Sequence, residues 1–178
     1  GSGGMTGNVS NVGAFDTIVK FLRTDFLWEQ VRVRGGAYGA RISYDPLCEL
    51  LTTVSYRDPR FFETWNVYEE IGKYLKETKI SKEIVDQAII GMIAAVDAPM
   101  GDDKTVIVTT QRYLMGISDE WRQSRRNEIM ALNSEDFALA GDVFENWIGG
   151  TIKAALTNSE HANEWTEKET VEIKELGI

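Results

Sequence analysis

Residues 26–40, FLWEQVRVRGGAYGA, decide the local fold, because a helical pattern ends within this stretch and a strand begins. Gly35-Gly36 breaks any helix, and paired glycines permit backbone angles and close approaches that a Cβ would forbid. Ala37-Tyr38-Gly39-Ala40 then opens a strand of small residues. We expect the turn to bring Arg32 and Tyr38 towards one spot. A guanidinium and a phenol placed together suit the binding of a carbonyl oxygen or a developing oxyanion.

The segments on either side of this stretch predict a helix and a hairpin. Upstream, apolar residues recur at helical spacing, which predicts one amphipathic helix to about Val31. These residues are Phe15, Ile18, Val19, Leu22 and Phe26. Downstream, residues 37–44 and 49–56 read as two short strands. Asp45-Pro46 supplies turn chemistry between them, so an antiparallel hairpin is predicted.

The remaining two thirds of the chain predict further helices and one more strand. Helix starts are predicted at Asp58-Pro59 and Ser81, then after a breaker at residues 99–103, and finally at Ser118 and Ser134. The first of these helices should end near Thr78, and Gly116 should end the third. Gly91, inside the second, suggests close packing against a neighbour. Residues 151–156 are a candidate strand, and a short final helix follows from Glu160.

This order of elements predicts an α+β fold, an antiparallel sheet with helices packed on one face. The chain has 178 residues, 43% hydrophobic and 26% charged, as in an ordinary globular domain. GSGG ahead of Met5 resembles a cloning remnant, so residues 1–7 are predicted to be this remnant and a disordered start. Residues 8–178 are predicted to form a single α+β domain.

The composition argues against several classes of partner. A net charge of -9 argues against nucleic acid, because such surfaces need clustered lysine and arginine. No apolar run is long enough for a membrane span, so no membrane partner is predicted. Cys48, a single cysteine, excludes an intrachain disulfide and fits a reducing compartment. The predicted location is therefore cytoplasmic, with the mitochondrial matrix as the alternative.

Four sequence motifs of this chain resemble those of a known family. They are LWEQVRVRGGAYGA in the opening stretch, VSYRDP at residues 54–59, AIIGMIAAVDAPM at 88–100 and RYLMGISDEWRQSRRNEIM at 112–130. Over residues 15–144 the chain resembles the carboxy-terminal domain of presequence proteases, within the insulinase/pitrilysin family of zinc metallopeptidases. The resemblance implies an insulinase/mitochondrial-processing-peptidase-like metallohydrolase domain that is shortened at its amino terminus. A shortened sheet would leave an edge open, so self-association of the isolated chain is expected.

The resemblance also implies the site residues. In the family, the arginine and tyrosine of the motif that contains Gly35-Gly36 contact bound peptide near the scissile bond. In this sequence they correspond to Arg32 and Tyr38. Gly35 and Gly36 would form the loop that supports them. From the residues alone another interpretation stays open. Arg32 or Arg34 could cap helix carbonyls or pair with Glu29 or Glu49, and Tyr38 could pack in the sheet. Arg34 matches no functional position of the family.

The family's zinc is held elsewhere, by His-x-x-Glu-His on its amino-terminal half. In this sequence the segment most similar to that motif is His161-Ala162-Asn163-Glu164-Trp165, where tryptophan replaces the second histidine. Catalytic zinc needs three protein ligands, so no metal site is predicted and His161 is expected at the surface. Cys48 has no base nearby in the sequence and is expected to be incidental.

These observations predict the zinc-free carboxy-terminal domain of a presequence-protease-like metallopeptidase that degrades unstructured peptides. Its partners would be the zinc-bearing amino-terminal half and the peptide, and the isolated chain is predicted to be inactive. The alternative is a non-catalytic peptide-binding or scaffolding module. The two hypotheses differ in whether the gene encodes His-x-x-Glu-His upstream of Met5.

Overall fold

The computed structural model describes residues 2–4, 11–148, 150–168, 172 and 174. Three strands, a π-helix and eight α-helices make up this part of the chain. In chain order these are β1 (Ser2–Gly4), α1 (Val12–Thr24), the π-helix (Trp28–Arg34), β2 (Gly39–Asp45), β3 (Leu50–Tyr56), α2 (Phe61–Glu69), α3 (Ile71–Glu77), α4 (Lys82–Val96), α5 (Asp102–Leu114), α6 (Asp119–Met130), α7 (Ser134–Ile148) and α8 (Ser159–Lys168).

The strands form one antiparallel sheet in the order β1-β3-β2. The hairpin is confirmed: Gly39 lies opposite Tyr56 and Asp45 opposite Leu50. The predicted disordered start is corrected at Ser2–Gly4, which pairs with β3. The rest of residues 1–7 lies outside the described part, and a domain boundary at residue 7 stays a prediction.

One face of the sheet is buried and the other is open. Ile42 and Leu51 point inward and are fully covered, and the ring of Phe15 on α1 meets that of Tyr44 edge-on at 4.9 Å. On the other face Arg41 lies opposite Val54, and both are exposed. The α+β prediction is thus confirmed.

The single helix predicted from residue 15 to about Val31 is wrong. The α-helix ends at Thr24, where Asp25 leaves helical geometry with φ -113° and ψ -82°. The Tyr74 hydroxyl donates to the Asp25 carboxylate at 3.0 Å, and the Phe26 ring stacks on that of Tyr74 at 4.3 Å. Two contacts from α3 therefore hold the chain where it changes direction into the π-helix.

The helix caps are partly as predicted. Ser81 and Ser118 accept hydrogen bonds from their helices, and Gly116 has φ +66° after α5. The helix predicted from Asp58 begins later, at Phe61, and is divided into α2 and α3 at Glu70. Before α7 the residue that caps is Asn133, whose side chain accepts from the backbone N–H of Glu135 at 2.8 Å, so the prediction of Ser134 as cap is wrong.

The strand predicted at 151–156 is also wrong, because only Ile152 makes a single bridge there. Gly91 has no described neighbour within 4 Å of where its Cβ would stand, so it marks no close packing among these residues. Close packing occurs instead where α3 crosses α7. A Cβ on Gly72 would lie 2.8 Å from the Gly141 carbonyl oxygen, and a Cβ on Gly141 equally close to that of Gly72.

Helix α5 is poorly covered by the rest of the described chain. None of its residues is buried, and no helix of the described residues is long and apolar enough to cross a membrane. Four of its apolar side chains recur at helical spacing and are 58–84% exposed: Val106, Ile107, Tyr113 and Leu114. An apolar stripe of this kind needs a covering surface.

We therefore expect the isolated chain to self-associate. The exposed stripe on α5 and the outer edge of β2, which no described strand pairs with, both offer surfaces to a second copy. Static light scattering over a concentration series should show an apparent mass that rises above 20.0 kDa. A mass that stays at this value at the highest concentration would contradict the expectation.

Candidate functional site

The π-helix positions the first half of the candidate site. A π-helix bonds residues five apart, so side chains five positions apart lie close together. Glu29 and Arg34 show this spacing directly: the Arg34 Nε and the Glu29 Oε1 form an ion pair at 2.9 Å. In an α-helix these two side chains would point in different directions. π-helical turns are rare and occur frequently at functional sites.

The two glycines end this helix for two different steric reasons. A Cβ on Gly35 would stand 2.3 Å from the Val31 carbonyl oxygen, which no side chain allows. Gly36 has φ +79°, a backbone conformation that L side chains rarely adopt. Arg60 then caps the helix end, donating from Nε to the Gly35 carbonyl oxygen at 3.3 Å and from Nη2 to that of Arg34. These contacts hold the end of the helix and the start of the turn.

Arg32 is an exposed cation that lies on an aromatic ring. Its guanidinium carbon is 3.9 Å from the ring centre of Trp28, one helical turn earlier. In the described part of the chain Arg32 makes no ion pair. Stacking on tryptophan directs the guanidinium and leaves its N–H edge available to another group.

Tyr38 stands at the other end of the turn, also exposed, at 66%. Its backbone N–H donates to the carbonyl oxygens of Tyr56 and Arg57, at 3.1 and 3.3 Å. Its ring meets the Tyr56 ring edge-on at 6.0 Å, and the Arg57 guanidinium lies 5.8 Å from the ring centre. No contact in the described residues joins Tyr38 to Arg32, so the turn carries both side chains without bringing them into contact.

Arg34 differs from Arg32 in its surroundings. It is neutralised by Glu29, which is the pairing that the residues alone left open. Arg32 has no such acidic partner among the residues that the structure describes. Because both arginines are exposed and on one helical segment, they form a natural pair of test residue and control.

Sequence reasoning missed three residues beside the site: Trp28, Tyr56 and Arg57. The last two belong to the VSYRDP motif at residues 54–59, and no site residue is predicted there. Arg57 has φ +47°, and such backbone strain costs ~1–3 kcal/mol and concentrates at binding sites. Its guanidinium lies beside both the Tyr38 and Tyr56 rings, at 5.8 and 5.4 Å from their centres.

The described residues show no grouping that fits a catalytic metal. Among the described residues no three histidine, cysteine or acidic side chains are grouped so as to hold one. His161 is half-buried rather than at the surface, because its ring packs 5.8 Å from that of Phe61. Trp165, in the second histidine's position, is 9% exposed and packs on Trp65 at 4.7 Å. Cys48 is exposed in the hairpin turn.

Comparison with known proteins places the chain in a family. The model of the PreP C-terminal domain matches residues 3–154. The chain is 34% identical over 139 residues to presequence protease 1, chloroplastic/mitochondrial, of Arabidopsis thaliana, covering 75% of the chain and 13% of that protein. It is 31% identical to the mitochondrial presequence protease of Xenopus laevis, covering 71% and 12%. It is also 29% identical to Protein HypA of Clostridium perfringens, covering 85% and 16%.

These relatives are much longer than the chain, which spans 11–16% of their length. The relatives named presequence protease carry mitochondrial or chloroplastic in their names, so the prediction of a cytoplasmic location finds no support.

Proposed function

The chain belongs to the family of presequence protease C-terminal domains, and on that premise we propose that it supplies substrate-binding groups to a peptidase site. The rest of that site, including any zinc, would lie in an amino-terminal half outside these residues. The substrate would be an unstructured peptide. The domain would adopt the insulinase-like fold, and the mitochondrial matrix is the proposed location.

The observation that carries this proposal is the contrast between the arginines. Arg34 is paired with Glu29, while Arg32 is stacked on Trp28 with no acid partner in the described residues. Tyr38 is likewise exposed, with its backbone fixed by two hydrogen bonds. Exposed polar side chains on a turn held by such hydrogen bonds are suited to an external ligand, because little conformational entropy is lost when they bind.

The proposed chemistry follows from the groups themselves. Arg32 would donate its N–H groups to a peptide carbonyl oxygen, and Tyr38 would donate its phenolic hydrogen beside it. As the carbonyl carbon becomes tetrahedral, its oxygen gains negative charge, and a fixed cation then stabilises it more than it stabilised the substrate. Gly35 and Gly36 would act through the turn that places both side chains.

The isolated chain is expected to have no peptidase activity and no stoichiometric zinc, because its described residues offer no ligand set. Metal analysis of the purified chain, together with a fluorogenic peptide assay, checks this. One tightly bound zinc per chain with chelator-sensitive cleavage would overturn the assignment of the metal to another part of the enzyme.

A further inference from the structure

A cleft separates α5 from α4 and α6. These two helices pack on each other and on α1, whereas α5 makes no comparable contact with any described element. The space beside α5 is a cavity of about 510 Å³, which is lined by residues of all three helices and of the turn between β2 and β3. Sites for small organic ligands typically have volumes of ~300–1,000 Å³. The cleft therefore has the size of a site for one small molecule.

The floor of the cleft is apolar and only partly covered. Met92 on α4 and Ile129 on α6 are buried, but Val96 and Met115, which line the same cleft, are 42% and 53% exposed. With Met100, three of the chain's five methionines line it. Methionine side chains are flexible and adapt to ligands of different shape. The cleft thus presents a surface suited to hydrocarbon, which the described residues leave partly uncovered.

Among the described residues, every charged side chain that lines the cleft is a cation except that of Asp45. The Asp45 carboxylate accepts the backbone N–H of Leu47 at 2.9 Å and so belongs to the hairpin turn. The cations are Lys104, Arg112, Arg122, Arg125 and Arg126. The chain as a whole has a net charge of -9, so its composition does not account for this concentration of positive charge. A cleft lined by one sign of charge attracts ligands of the opposite sign, here an anion.

The three arginines of α6 already have acidic partners, which do not line the cleft themselves. These ion pairs are Arg122–Asp119, Arg125–Asp16 and Arg126–Asp97. Even so, the Nε of Arg125 is buried and has no hydrogen-bond partner among the described residues. Buried polar atoms are nearly always hydrogen-bonded, so this donor on a residue of the lining indicates an acceptor that the described chain does not supply.

The two cations of α5 have no acidic partner in the described part of the chain. Lys104, Val108 and Arg112 recur at every fourth residue and all line the cleft, so they form the face of α5 that borders it. A helix face that covers an apolar surface is normally apolar itself. Here a cation lies on each side of a single valine, and Arg112 is half-buried. This face suits a ligand that has both an apolar part and an anionic part.

We propose that the cleft binds one amphiphile that has a single alkyl chain and an anionic headgroup, such as a long-chain fatty acid. The alkyl chain lies on the apolar floor, and the headgroup accepts hydrogen bonds from Arg112, with Lys104 as the second cation. A guanidinium binds a carboxylate or a phosphate through two parallel hydrogen bonds, which makes Arg112 the stronger contact. This inference goes beyond the role proposed for Arg32 and Tyr38, neither of which lines the cleft, and does not depend on it.

The volume of the cleft favours such an amphiphile over an acidic helix from another protein. A helix with its side chains is at least ~10 Å wide, so two turns of it fill roughly 850 Å³. The cleft holds about 510 Å³. An alkyl chain is much thinner than a helix and enters without moving α5 away from α4 and α6.

Calorimetric titration of the isolated chain, which contains every lining residue, tests the proposal. One laurate per chain should bind, at concentrations below those at which laurate forms micelles. Octanoate should bind at least ~10-fold more weakly, because each buried CH₂ contributes roughly a fourfold gain in affinity. Dodecyltrimethylammonium has the same alkyl chain with a cationic headgroup and should also bind at least ~10-fold more weakly. Equal affinity for the two headgroups, or no saturable binding of laurate, would overturn the proposal.

Two further probes distinguish the sources of such a ligand. Dodecyl phosphate represents single-chain phospholipids and laurate represents free fatty acids, and saturable binding of one per chain by either supports the proposal. The ratio of their affinities shows which headgroup the cleft prefers. Vesicles of anionic phospholipid test a membrane surface instead. Binding to these vesicles, with no binding of either free amphiphile, would overturn the proposal.

Substitutions on α5 locate the ligand. Arg112→Gln should weaken laurate binding about tenfold or more, because it removes a charged hydrogen-bond donor. Its control is Lys73→Gln, which removes an exposed cation of α3 outside the lining and should change nothing. Val108→Trp should abolish binding by filling the cleft, and since α5 has no buried residue, its circular dichroism and Tm should stay those of the wild type. Equal losses in the first two variants, or full binding by a folded Val108→Trp, would overturn the proposal.

The methionine methyl groups give an independent readout by nuclear magnetic resonance. With ¹³C-methyl methionine in the isolated chain, laurate should shift the signals of Met92, Met100 and Met115, which line the cleft. The signal of Met130 should not move, because this residue is 59% exposed but lies outside the lining. Shifts of equal size at Met130 would mean adsorption to apolar surface in general and would overturn the proposal.

Discussion

Arg32→Ala in the intact enzyme is expected to lower turnover by about a hundredfold or more while leaving the fold and the metal content unchanged. Loss of one donor to a developing oxyanion typically costs ~3 kcal/mol of transition-state stabilisation. Because Arg32 is exposed and makes no ion pair in the described chain, its removal loses the stacking contact with the half-exposed Trp28 ring and no ion pair. Steady-state kcat and KM on a fluorogenic peptide, with Tm and zinc content, measure this.

Tyr38→Phe should lower turnover in the same way, since it removes only the hydroxyl and keeps the ring contact with Tyr56. The control is Arg34→Ala, which shares the charge and the helix but loses only its exposed pair with Glu29. Exposed pairs contribute ~0–1 kcal/mol to stability, so this variant should behave like the wild type.

Three results would contradict these roles. If KM rises and turnover survives, Arg32 and Tyr38 hold the substrate uniformly and do not act on the transition state. If Arg34→Ala loses as much turnover as Arg32→Ala, the different roles assigned to the two arginines are wrong. If all three variants lose Tm together, these residues are structural.

Gly141→Ala is expected to destabilise the isolated chain by ~1–3 kcal/mol, with a fall in Tm of several degrees. The added Cβ would stand 2.8 Å from the Gly72 carbonyl oxygen and 2.6 Å from Cγ of Lys76. Backbone cannot yield as a side chain can, so α3 and α7 must move apart. These helices carry Ile71, Phe137 and Phe144, which are buried in the core, and the separation would loosen their packing.

Gly91→Ala is the matched control for this prediction. Gly91 also lies inside a helix, but no atom of the described chain stands within 4 Å of its Cβ position. Alanine is favoured over glycine in a helix by ~1 kcal/mol, so this variant should be as stable as the wild type or more so. Urea unfolding followed by circular dichroism compares the two variants. Equal destabilisation of both would contradict the close crossing of α3 and α7.

Local signals in the sequence predicted much of the fold. The Asp45-Pro46 turn and its flanking strands, and the caps at Ser81 and Ser118, act through neighbours within a few residues. The glycine crossing could not be predicted in this way. Gly91 and Gly141 both sit in apolar helical patterns, and which of them meets a second backbone depends on tertiary packing.

The break at Asp25 and the π-helix that follows had no local signal either. The apolar spacing continues through Phe26, so periodicity alone predicts one helix. The change of direction depends on Tyr74, which is 49 residues away and both donates to Asp25 and stacks on Phe26. The five-residue spacing of Glu29 and Arg34 is a signal of the π-helix only once that geometry is known.

The residues of the candidate site could be predicted from their sequence motif, but their arrangement in space could not. Arg32, Tyr38 and the two glycines were identified by resemblance, and their roles stay a proposal. The strained Arg57 comes from a segment some twenty residues later and reaches Tyr38 only because β2 and β3 pair. The predicted hairpin pairs Gly39 with Tyr56, so extending its register by one residue would have placed Arg57 beside Tyr38.

Binding of a tetrahedral phosphinic peptide to the intact enzyme, compared with binding of the matching substrate peptide to the metal-free enzyme, tests the central claim most directly. If Arg32 acts on the developing oxyanion, Arg32→Ala should weaken the phosphinic peptide by about a hundredfold and the substrate by much less. Arg34→Ala should change neither. Equal losses for both ligands, or no loss for either, would contradict the claim that this chain stabilises the transition state.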